Sequence, residues 1–214
     1  MLNASANKIL HINPHLINNY SLGPNWWWFS PINKRISNIA IKEYLERIAM
    51  GRTYYGGNWD LKSINFKKTH WFLIVDDFKR NINKIDNSIW YKSIMKEINL
   101  KGFYFHKKIE IKNQEEVFLF FKNYVISLIE SLKEKKFIKD NNEDIPTVYV
   151  SRNGELIKSG HGCHRLAIIK SFEIKCDYPI RIAGIHKKFI LNKKFKKDNL
   201  EDIYNYIIDN FGNR

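Results

Sequence analysis

Gly160-His161-Gly162-Cys163-His164-Arg165 packs two glycines, two histidines, a thiol and a guanidinium into one short run. Ser159 precedes it, after a predicted strand, and the apolar stretch Leu166–Ile169 follows at once. Glycine lets a backbone turn sharply and approach a ligand closely, and the first amides of a helix have no intrahelical acceptor. A phosphate needs several converging donors and gains about 0.3–1 kcal/mol more from the positive end of a helix at exposed sites. The expected cradle comprises Ser159, Gly160, Gly162 and the amides of Cys163, His164 and Arg165, with the Arg165 fork as a permanent charge. His161 and His164 can each donate to an oxygen or shuttle a proton. The plainer alternative is a tight turn holding a satisfied core histidine and a small buried cysteine.

A cysteine at a helix start beside His164 and Arg165 has its thiolate favoured, so Cys163 is a candidate nucleophile. Free cysteines are also common as inert core residues. His161, Cys163 and His164 are too tightly spaced for a structural zinc site. Outside the run, Gly56-Gly57-Asn58-Trp59-Asp60 forms a glycine turn ending in a carboxylate. Asp60 can serve as a general base, a magnesium ligand or a simple turn residue. The chain contains no Walker loop, HExxH or GxSxG motif.

The elements that must hold these groups follow from periodicity. Thr147–Ser151 predicts a strand, Asn153–Gly154 a hairpin turn and Leu156–Lys158 a second short strand. Arg165–Ser171 predicts a helix and Pro179–Ala183 a further strand. Ahead of them, helices are expected from Ser37 to Gly51, over Ile89–Ile98 and over Gln114–Lys135. For the last, Asn113 caps, Glu116 closes the box, and Val117, Phe121, Tyr124, Val125, Leu128, Ile129 and Leu132 share a face. Thr69–Phe78 reads equally as a buried strand or a helix. Residues 1–35 read as irregular, with Trp26–Phe29 as an apolar lid or a partner patch. A final helix is expected over Asn199–Asn210. The predicted fold is α+β, with a mostly helical elaboration over 1–140 and the core, including the last helix, over 141–214.

Composition sets outer bounds. The chain has 214 residues, 44% of them hydrophobic, which excludes global disorder. No run of uncharged apolar residues is long enough to span a bilayer, and the N-terminal stretch lacks the apolar centre of a secretory signal. Two cysteines make no disulfide framework, so a reducing, cytoplasmic setting is expected. A formal charge of +14 implies attraction to polyanions, although scattered lysines also make an ordinary solvated face. The basic run His186–Asp198, with Phe189 and Phe195 interleaved, is the candidate nucleic-acid segment.

The chain from Ile145 to about His186, and within it VYVSRNGELIKSGHGCHRLAIIKSFEIKCDYPIRI, resembles the ParB/sulfiredoxin superfamily. It has that group's order of strand, hairpin, phosphate loop, helix and strand. Gly162-Cys163-His164-Arg165 is similar to the sulfiredoxin GCHR, which implies a catalytic thiol at Cys163 and ATP-driven sulfinic acid reduction. Gly57, Trp59 and Asp60, followed by Gly160, His164, Arg165 and Leu166, look instead like a wider set of ParB-like proteins, some of them nucleotide-using small-molecule kinases. In that set the Cys163 position is not generally cysteine. The acidic-arginine box and helix-turn-helix of the partitioning proteins are missing.

The resulting expectation is a phosphotransferase using ATP or another nucleotide with Mg2+ on a small or peptide-borne substrate. Gly160–Arg165 would hold the transferred phosphate, His161 or His164 would move a proton, and Asp60 would engage magnesium or the acceptor. A thiol-based sulfinic acid reductase and a non-catalytic nucleic-acid-binding protein are the alternatives.

Overall fold

The computed structural model describes residues 8–21, 54–106, 109–134, 145–195 and 200–213. The predicted Ser37 helix, the Trp26–Phe29 cluster and the 140–144 loop lie outside them. The fold is α+β. The described residues form two compact units: residues up to Phe66, Ile145–His161 and Pro179 onward make the first, and Lys67–Glu134 with Gly162–Tyr178 make the second.

The first unit is built on a seven-stranded mixed sheet. Its strands are β1 (Leu10–Ile12), β2 (Asn19–Tyr20), β3 (Tyr54–Tyr55), β4 (Ile64–Asn65), β7 (Thr147–Val150), β8 (Leu156–Ser159) and β9 (Tyr178–His186). Their order is β1-β9-β7-β8-β2-β4, with β3 alongside β9. The expected hairpin is present: β7 and β8 run antiparallel, with Thr147 opposite Ser159 and Val150 opposite Leu156. Alternation along β7 buries Val148 and Val150 on one face and leaves Thr147 and Tyr149 half-buried on the other. Each fully buried Val, Leu or Ile contributes about 1.5–3 kcal/mol.

Residues 1–35 are not wholly irregular, because β1 and β2 lie there. The expected boundary at 140 is redrawn for the same reason. Asn19 pairs with Ile157, and Tyr54 with Ile185, both in parallel register, so cutting the chain at 140 would cut hydrogen-bonded ladders. On the half-polar face, the Tyr55 ring lies directly on β9. A Cβ on Gly184 would sit 2.0 Å from Tyr55 Cε2, an approach only glycine allows. Helices α6 (Lys187–Lys193) and α7 (Leu200–Phe211) complete this unit.

The second unit is helical apart from the hairpin β5 (Tyr104–His106) and β6 (Ile109–Ile111). The ambiguous Thr69 segment is helix α1 (His70–Arg80), because the Thr69 side chain caps it by accepting from Phe72 N at 3.3 Å. Helix α2 (Ile89–Lys101) is capped by Ser88 and stopped by Gly102 at φ +83°. The long Gln114 helix is not uniform. It runs as α3 (Gln114–Phe120), a π-helical stretch Phe121–Ile126 and α4 (Ser127–Lys133). The Asn113 side chain accepts from Glu116 N at 2.9 Å, while the Glu116 carboxylate accepts from Lys112 N at 2.7 Å, one residue earlier than the expected box. Widening the turn leaves the successive rings of Phe120 and Phe121 both buried. Phe121 stacks on Phe78 of α1 at 5.1 Å. Helix α5 (Cys163–Ser171) packs against α1 in this unit, where the Ser171 hydroxyl donates to Asp76 at 3.1 Å. No helix among the described residues is long and apolar enough to cross a membrane.

Candidate functional site

The glycine run divides between the units after His161. In the first unit, Ser159 is buried at the end of β8. Its hydroxyl donates to Thr147 Oγ1 at 3.2 Å, and that hydroxyl donates in turn to the Ser159 carbonyl at 3.0 Å. Gly160 follows at φ +44°, where a Cβ would press on Thr147 Oγ1. The turn is pinned from beneath by Lys158, which is fully buried. Its ammonium donates to the carbonyls of Thr147, Ser159 and His161, three acceptors for three protons. The His161 side chain is exposed.

In the second unit, Gly162 at φ +84° is the N-cap of α5. The helical ladder starts with Leu166 N donating to the Gly162 carbonyl at 3.1 Å, so the amides of Cys163, His164 and Arg165 precede its first donor. Tyr178 Oη donates to the same carbonyl at 3.1 Å. Burial raises the Tyr178 phenol well above its usual range, with Arg165 opposing that shift. Cys163 and Arg165 are both buried. These are the backbone turn and helix start expected from the sequence.

His164 has a different setting from the one expected of a mobile proton carrier. Its imidazole stacks face to face on Trp90 at 5.2 Å, with Trp71 edge-on at 4.9 Å and His106 at 5.7 Å. Such packing fixes a ring by contact area and quadrupole geometry. His164 therefore locks the start of α5 into the helical unit. His106 carried no motif that would have marked it, and Trp90 stood only within the expected Ile89–Ile98 helix. Only the stacked geometry marks them.

Asp60 requires correction. It is buried at 6% exposure in the short 3-10 helix Trp59–Lys62. Its Oδ2 accepts from Arg152 N at 3.0 Å and Arg152 Nε at 2.8 Å, and its Oδ1 accepts from Arg152 Nη2 at 2.7 Å. Arg152 Nη2 donates also to the Gly57 carbonyl and Asn58 Oδ1, each at 3.0 Å. Burial by itself would raise the Asp60 carboxyl, but the Arg152 bonds and charge outweigh it and hold the group below the ordinary carboxylate range. Both oxygens are thus committed to a guanidinium, so the group does not fit a magnesium ligand or a base.

Position argues the same way. Arg152 lies in the β7–β8 turn, whereas Ser159 sits opposite Thr147 at the far end of that hairpin. Thr147 to Val150 alone spans roughly 10 Å at the usual strand rise. Asp60 therefore belongs to an ion-pair anchor, not to the glycine turn. His186 supports this anchor: Lys188 N donates to its Nδ1 at 3.0 Å, which puts the proton on Nε2, facing the Gly57 carbonyl at 2.9 Å. Among the described residues, no group of three or more His, Cys, Asp or Glu side chains is placed to hold a metal ion. Sequence reasoning missed Arg152 and Lys158. The signals available were a carboxylate in an apolar glycine turn and a lysine inside an otherwise apolar strand.

The basic run also changes character. Phe189 is fully buried and packs on Phe195 at 5.5 Å and Tyr206 at 5.2 Å. Its rings are core rather than a stacking platform, while Lys187, Lys188, Lys193 and Lys194 remain exposed. Compared with family models, with curated proteins and with solved structures, the chain matches none.

Proposed function

We propose that this chain is a nucleotide-binding phosphotransferase with a ParB/sulfiredoxin-like strand–hairpin–glycine turn–helix segment, acting on a small or peptide-borne hydroxyl. One observation carries the reading: Gly162, held at φ +84°, delivers the backbone straight into helix α5, so that the amides of Cys163 to Arg165 lead the ladder. Such a start turns the positive end of a helix dipole toward a phosphoryl group. In the transfer, the acceptor oxygen forms a bond to the terminal phosphorus as the bond to the nucleoside diphosphate oxygen breaks. The acceptor proton leaves to solvent as the new bond forms. Arg165 offsets charge on the transferred group, and His164 positions the helix start through Trp90. Asp60 takes no part, and no step is assigned to magnesium.

Calorimetry with ATP and CTP, followed by assay of nucleoside diphosphate release, tests the reading. Gly162→Ala forces a Cβ into a left-handed backbone at a cost of about 1–3 kcal/mol, and should weaken nucleotide binding at least tenfold. Absence of binding by any nucleotide at millimolar concentration sinks the proposal. Cys163 at the first position of α5 keeps the sulfinic acid reductase in view as a second reading, since a helix start favours the thiolate. Full turnover in Cys163→Ser excludes that thiol chemistry.

A further inference from the structure

In the first unit, the sheet register brings together three polar side chains at the end where the glycine turn leaves it. Thr147 pairs with Ser159 on one side and with Arg181 on the other. Directly opposed residues in a sheet point to the same face, so two hydroxyls and a guanidinium form a row across three strands. The hydroxyls are already ordered by their mutual hydrogen bond. The guanidinium is not. Arg181 Nε is buried without an acceptor, and no hydrogen bond or ion pair engages this side chain among the described residues.

A second orphan lies on the same face. Tyr149, two residues beyond Thr147 on β7, packs against Trp59 at 5.2 Å, and Trp59 Nε1 is likewise buried with no acceptor. Trp59 itself is 6% exposed. Leaving a buried N–H unpaired costs about 1–3 kcal/mol, more for a charged group, so two on one sheet face call for acceptors. The Ser159 and Thr147 protons are held by Thr147 Oγ1 and the Ser159 carbonyl, and rotation of either hydroxyl would turn its proton toward a ligand beside Arg181, which needs a partner rich in lone pairs and negative charge. Guanidinium forks match phosphate and carboxylate geometry better than any neutral group.

We infer that the sheet face carrying Arg181, Thr147 and Ser159 is an oxyanion-binding site, with Arg181 as its anchor and the ligand's phosphate or carboxylate group completing the row. The site uses none of the amides of Gly162–Arg165, and it does not depend on nucleotide turnover.

The test is a titration with inorganic phosphate, and separately with malonate, at constant ionic strength against chloride. It follows the arginine Nε–H and indole Nε1–H resonances of the full chain. Saturable movement of the Arg181 Nε–H signal is expected. Arg181→Gln should weaken the anion at least tenfold, read by calorimetry and by the Trp59 indole signal. Thr147→Val, which leaves the guanidinium in place, should weaken it three- to tenfold and serves if Arg181→Gln does not fold. A response to phosphate assigns the ligand group as phosphoryl, and a response to malonate alone assigns it as carboxylate. Silence with both anions, or wild-type affinity in Arg181→Gln, overturns the site. Loss of all nucleotide binding with a retained phosphate response at Arg181 would remove the phosphotransferase reading and leave this one standing.

Discussion

Replacing Lys158 with methionine should destabilise the chain and loosen the glycine turn together. Methionine keeps most of the buried stem but removes the ammonium that gathers the carbonyls of Thr147, Ser159 and His161. Hydrogen bonds to a charged group contribute about 1.5–3 kcal/mol each, so three represent roughly 5–9 kcal/mol in gross terms. Against that stands the desolvation of a fully buried ammonium, several kcal/mol, which the variant no longer incurs. The difference leaves a net loss of about 2–4 kcal/mol. For a chain of this size that corresponds to a fall in Tm of roughly 4–16 °C. Thermal unfolding at pH 7, followed by tryptophan fluorescence, measures it. The oxyanion titration repeated on the variant should show weaker binding, because Ser159 and Gly160 lose their pin. A Tm within about 2 °C of the parent would refute the reasoning, since the three carbonyls would then have no need of the charge.

Three further outcomes are expected. Gly184→Ala drives a methyl group to 2.0 Å from Tyr55 Cε2, and it should cost about 1–3 kcal/mol of stability by urea unfolding. Burial, aided by the Lys67 charge, brings the Lys170 amine down to about 8 from its usual 10.5. The unfolded chain therefore binds more protons between those values, and stability should rise as pH increases from about 8 to 10.5. Lys170→Met should abolish that rise and be more stable than the parent at pH 7. Asp60, held below its ordinary 3.8, contributes stability that is complete above that pH and lost as pH falls through its lower folded value. Asp60→Asn should flatten this acid limb, and an unchanged limb would show that the Arg152 pair is not formed in solution.

Local chemistry was legible wherever one residue and its immediate neighbours decide the outcome. Asn113 caps a helix because its side chain reaches an amide three residues on, and Gly162 turns the chain because it lacks a Cβ. The hairpin over Thr147–Ser159 announced itself through alternation around Asn153–Gly154. Pairing between distant segments was not legible. The short strands at Asn19–Tyr20 and Tyr54–Tyr55 have too few residues to show a period, and they exist only because β8 and β9 offer them free edges. His164 looked like a proton carrier because a sequence lists a side chain's chemistry but not its packing partners. Trp90, more than seventy residues away, supplies the ring against which it lies.

The sequence by itself determined a charged, largely apolar chain with one glycine-rich turn entering a helix, since turn and cap preferences are set by covalent geometry over a few bonds. Tertiary structure alone decided where charge is spent. It committed Asp60 to Arg152 and Lys158 to three carbonyls, and it left Arg181 facing a row of hydroxyls. The physical reason is that burial makes each ion depend on whichever distant groups the fold brings within about 3 Å, and that proximity is written in strand register rather than in residue order.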